Sequence, residues 1–68
     1  MSTRSQYILD NYRLEQTPTG WRAVNMYQGK VWSTKEASTR EETCRLARVW
    51  WGHFNFEDEA EAFATIFK

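Results

Sequence analysis

The sequence predicts a small α+β domain: a three-stranded antiparallel meander packed on one main α-helix, with a shorter helix at the C-terminus. Three observations lead there. Ser38-Thr39-Arg40-Glu41 is a capping box, and Gly52 stands where the helix it opens should stop. Before Ser38 the chain carries β-favouring side chains in short runs, separated by Thr17-Pro18-Thr19-Gly20 and Gln28-Gly29. Strands followed by helices, rather than alternating with them, is the α+β order.

Sixty-eight residues make a single domain, 1–68. A chain of this size buries only about 60% of its unfolded surface, so its core is small. Met1–Gln6 is polar and expected to fray. Tyr7–Leu9 reads as the beginning of a strand that Asp10-Asn11 interrupts. Tyr12–Gln16 alternates Tyr12 and Leu14 with Arg13 and Glu15, the period-two pattern of a half-buried strand. Trp21–Tyr27 and Lys30–Thr34 follow, joined by the two-residue turn Gln28-Gly29.

Strand register decides which side chains face the helices. The second hairpin sets Tyr27 opposite Lys30, Met26 opposite Val31 and Asn25 opposite Trp32. Val24, Met26 and Val31 then share one face; Trp21, Ala23, Tyr27 and Trp32 share the other. The first hairpin admits two registers. A three-residue loop puts Leu14 opposite Val24 and Tyr12 opposite Met26, whereas a four-residue loop pairs Glu15 with Arg22 and sends Leu14 and Tyr12 to the tryptophan face. The three-residue loop separates aliphatic from mixed side chains more completely and is the expected one. On that register the helices cover Leu14, Val24, Met26 and Val31.

The main helix is expected at Thr39–Trp51 with Ser38 as its cap. Thr43, Leu46, Ala47, Trp50 and Phe54 form its buried stripe, and Glu41 and Arg45 stand four apart in the favourable order. Asn55 is placed to cap a second helix whose first turn is acidic (Glu57, Asp58, Glu59) and whose apolar face is Phe56, Ala60, Phe63 and Phe67.

Catalysis finds little support. Cys44 and His53 are nine residues apart, about 900° of helix rotation and ~13 Å of rise, so they cannot form a thiol–imidazole pair on a continuous helix. Two such ligands do not make a zinc site. The acidic cluster at 57–61 lacks the alternating ligands and central glycine of a calcium loop. No phosphate-cradling glycine motif is present, with glycines at 20, 29 and 52 only. No enzyme activity, cofactor or metal is expected. A lone cysteine excludes an internal disulfide, and the apolar runs are too short for a leader or a membrane span, so a cytoplasmic protein without membrane contact is expected.

Two short helices can cover only one face of the sheet. The other is expected to expose Trp21, Tyr27 and Trp32 with Arg13 and Lys30 at its rim, residue types enriched at interface hot spots. The expectation is therefore a non-enzymatic module that binds another protein. By analogy of size it would regulate or inhibit a larger complex, including nucleic-acid-handling ones, as small phage and mobile-element proteins do. A homo-oligomer through the same face is a second outcome.

Nucleic acid is the alternative partner. Arg13 and Lys30 beside three aromatics could stack bases and meet phosphates, with Arg45 and Arg48 adding charge. In outline, three strands and a helix resemble the sheet-reading arm domains of some recombinases, an architectural likeness that no motif carries. Net charge is zero, with eight Lys/Arg against five Asp/Glu in residues 1–54 (+3) and one against four in 55–68 (−3). That balance disfavours a binder held by phosphates.

Overall fold

A computed structural model describes residues 3–68, and the chain is α+β as the sequence predicts. Its elements are α1 (Thr3–Asn11), β1 (Tyr12–Thr17), β2 (Gly20–Tyr27), β3 (Lys30–Ser33), α2 (Arg40–Trp51) and α3 (Glu57–Ile66). The strands form one antiparallel sheet in the order β1-β2-β3. Where the sequence predicts a polar, fraying start at residues 1–6, helix α1 begins at Thr3; residues 1 and 2 lie outside the described residues.

Helix α1 also replaces the expected strand at Tyr7–Leu9. Nine residues are too few to hold a helix in water by themselves. Docking on α3 supplies the rest: Ile8 is in the core, Ser5 Oγ donates to the Asp58 carbonyl at 3.2 Å, and Arg4 reaches the Asp58 carboxylate at 3.2 Å. The Arg4 guanidinium also stands 4.3 Å above the Phe56 ring.

The second hairpin has the expected register. Gln28 and Gly29 both have positive φ, 51° and 76°, as a type I′ turn requires. The first hairpin does not. Thr17 pairs with Gly20, leaving Pro18-Thr19 as a two-residue loop, and Glu15 pairs with Arg22. Leu14 therefore faces Ala23, and Tyr12 faces Asn25. Neither loop residue has positive φ, so the turn lacks the twist that suits a hairpin this tight. Glu36 compensates from across the sheet: its carboxylate accepts from Thr17 Oγ1 at 2.7 Å and from Thr19 Oγ1. Gly20 has no side chain because the Ala37 carbonyl lies where a Cβ would go, and Trp21 and Ala37 exchange two 2.8 Å backbone bonds beside it.

This register overturns the expected covered face. The helices lie on Tyr12, Leu14 and Ala23, while Arg13, Arg22, Val24, Met26 and Val31 face the other way. Close approach explains the choice. Ala23, Thr43, Cys44 and Ala47 are all fully buried, and side chains this small bring the axis of α2 close to β2. Thr43 Oγ1 donates to the Trp21 carbonyl at 3.1 Å across the seam, so its burial leaves no hydroxyl unpaired.

Helix α2 is capped by Thr39, one residue after the expected Ser38, with Thr39 Oγ1 accepting from the Glu42 amide at 3.1 Å. Thr39-Arg40-Glu41-Glu42 has the same capping-box form. The buried stripe is Thr43, Cys44, Ala47 and the half-buried Trp51, rotated from the expected one, and Trp50 points to solvent. Arg45 bonds Glu42 three residues back, not Glu41. Helix α3 starts at Glu57 with Phe56 rather than Asn55 at the cap, and it buries Ala62 and Phe63, with Phe67 just beyond its end; Phe56 and Ala60 are exposed.

Tyr12 joins the layers. Its ring meets Trp51, Phe54, Phe63 and Phe67 edge-on, with centroids 5.8, 6.4, 5.5 and 6.5 Å away. Edge-to-face pairs are each worth ~0.5–1.5 kcal/mol beyond area burial. Burial also raises the phenol pKa above 10.0.

Two outcomes follow. Tyr12→Ala should cost about 3 kcal/mol, a large part of the stability of a domain this size, and leave it unfolded or nearly so in urea titration. Gln28→Asn should raise stability by ~0.5–1 kcal/mol and lift the thermal midpoint, since asparagine tolerates positive φ better than glutamine.

Candidate interaction surface

The five residues expected to form a contact divide between two faces. Trp21, Tyr27, Lys30 and Trp32 share the helix-covered face; Arg13 pairs with Val24 and stands on the open one. Trp21 is half-buried, its carbonyl held by Thr43 and Ala37. Tyr27 and Trp32 extend past the cover that α2 provides and are 52% and 53% exposed.

Sequence reasoning missed Met26 and Val31. They oppose each other on the open face and are 47% and 61% exposed. So at this end of the hairpin, large apolar side chains on both faces meet solvent. All four residues of β3 are exposed, and β3 is an outer strand of the sheet. Among the described residues, the end of α1 (Asp10 and Asn11) borders Met26 and Val31 on the open face without burying them. The signal for Met26 and Val31 lay in Ala23: a helix crosses a sheet where side chains are smallest, and that puts the β2 aliphatics on the far side.

A shallow cleft on the open face is lined by Asp10, Asn11, Arg13, Val24, Met26 and Val31. Its charges are largely matched. Glu15 pairs with Arg13 at 3.3 Å and Arg22 at 3.2 Å, and the Arg22 hydrogen bond, aided by Arg13, holds the Glu15 carboxyl below its usual range. Lys30 makes no ion pair among the described residues. Elsewhere among the described residues, Val49 and Trp50 on the outer side of α2, Tyr7 on α1 and Phe56 before α3 are also exposed.

Chemistry-bearing side chains do not converge. Cys44 is fully buried, whereas His53 is exposed with Nε2 3.2 Å from the Val49 carbonyl. Among the described residues no group of three or more His, Cys, Asp or Glu is placed to hold a metal, and no helix is long and apolar enough to cross a membrane. No family model matches the chain, and no curated protein or solved structure matches it significantly.

Glu36 and Glu42 resemble Glu15 in that hydrogen bonds lower their pKa, from Thr19 and Thr17 in one case and from Arg45 in the other. A carboxyl with a lower pKa folded than unfolded stabilises the fold above the unfolded value and loses that contribution as pH falls through the folded one. The thermal midpoint should therefore hold from neutral pH to about 4.5 and drop below it. Replacing all three with Gln should flatten that drop in pH-dependent circular dichroism melts.

Proposed function

We propose that this chain is a non-enzymatic binding module whose partner is a protein, held at the outer end of the β2–β3 hairpin. One observation carries the reading. Met26, Tyr27, Val31 and Trp32 alternate between the two faces, yet each is about half exposed. A sheet end left bare on both sides offers aromatic anchors and unpaired backbone groups together, the combination that strand-adding and hot-spot contacts use. Regulation or inhibition of a larger complex is the role such a contact would serve, a step resting on size.

The register weighs against nucleic acid. Arg13 is on the other face from the aromatics, and Arg13 and Arg22 are both committed to Glu15. Lys30 is then the one cation grouped with Tyr27 and Trp32, too little charge to hold a polyanion.

A photoreactive phenylalanine analogue replacing Trp32, expressed in the native host, tests this. Protein adducts should form at position 32 and be absent when the same probe replaces Glu61 on α3. Adducts only to nucleic acid, or equal adducts at both positions, would overturn the proposal.

A further inference from the structure

Resting on that reading, we propose that the occupant of the hairpin end is a second copy of this chain, joined by antiparallel pairing of β3 with its twin across a two-fold axis. The ladder shows which backbone groups are available. The Thr34 amide donates to the Ala23 carbonyl at 3.0 Å, marking that pair as bonded. Alternation along an antiparallel ladder makes Asn25–Trp32 and Tyr27–Lys30 the next bonded pairs. Lys30 and Trp32 thus turn their amides and carbonyls inward, and Val31 and Ser33 turn theirs outward.

Those two outward residues restrict how twins can pair. Val31 against its own copy satisfies Val31 alone, because Ser33 would then meet Gly29, whose φ of 76° takes it out of extended geometry. Ser33 against its own copy would call on Lys35, which lies past the end of β3. Val31 against Ser33 of the second copy uses every outward group and makes four backbone hydrogen bonds, twice the number of either alternative.

The side chains agree with that register. Trp32 falls on the two-fold axis opposite Trp32 of the second copy, in a non-bonded pair where Cα atoms are ~4.5 Å apart and side chains are closest. Lys30 lands opposite Thr34 and diagonal to the second copy's Trp32, within reach of its ring face. No like charges are opposed. The net charge of zero adds no long-range repulsion between copies. Val31–Ser33 itself contains no proline, charge or bulge; the guards on this edge are its four-residue length and Lys30 at its start. Four backbone bonds along a four-residue strand make a small contact, so the pair should exchange and show itself at high concentration.

Sedimentation from micromolar to millimolar concentration should show a monomer–dimer equilibrium. Val31→Pro removes an outward amide without touching the intrachain ladder, and it should weaken the dimer by about tenfold or more while the circular dichroism spectrum is kept. Under mild oxidation Trp32→Cys should form a disulfide dimer, because a non-bonded pair lies within disulfide range, and Lys30→Cys should not. A wild-type chain that stays monomeric at millimolar concentration overturns the second copy, as does a dimer that forms in Val31→Pro and cannot be linked at position 32. If position 32 still yields adducts to other proteins in the host, the binding module stands without self-pairing; if it yields none, both readings fall.

Discussion

The close approach of α2 to β2 sets the rest of the structure. Ala23, Cys44 and Ala47 have almost no side chain to hold the layers apart, and Thr43 is admitted because its hydroxyl has the Trp21 carbonyl to bond. Dispersion falls steeply with distance, so a seam of small residues gains contacts that bulkier but looser pairs lose. Once α2 lies there, Tyr12 and Leu14 must turn to the same side, and Tyr12 becomes the ring against which the ends of α2 and α3 close. The aliphatic residues of β2 and β3 are left on the far side as a consequence, not as an independent feature.

The first hairpin shows how a weak local preference is overridden. Pro18-Thr19 forms a loop without positive φ, although the twist of the strands asks for it. Three elements from elsewhere hold it: Glu36 on the two threonines, the missing side chain of Gly20, and the Trp21–Ala37 bonds. Glu36 and Ala37, the partners of these contacts, belong to the segment that runs from the end of β3 to α2. The connector is therefore part of the sheet's specification and not a passive link.

Much of the fold was legible because it depended on local chemistry. The Gln28-Gly29 turn, the strand pattern of Tyr12–Gln16, the capping signals before α2 and the acidic first turn of α3 each lie within a few residues. Helix α1 was not legible, because its helicity comes from Asp58 and the α3 surface, more than fifty positions away along the chain. The covered face was misread for a related reason. Hydrophobicity ranks Met26 and Val31 above Ala23, yet Ala23 is buried and they are exposed; Val24, on their face, is buried as well. The expected contact residues accordingly split: Tyr27, Lys30 and Trp32 stayed together at the hairpin end, while Arg13 moved to the opposite face with the register. The same slip hid Met26 and Val31.

Thr34 also limits how far anything can run along this margin. Its hydroxyl, rather than its own carbonyl, accepts the Ala23 amide at 3.1 Å, and the chain then gains one residue on β2 before Ala37 rejoins at Trp21. The interruption leaves β3 a straight dock of about 13 Å, four residues long. A guest backbone longer than that loses its template midway. The margin is thus sticky but short, which favours small closed pairings over the indefinite stacking that long, regular margins invite.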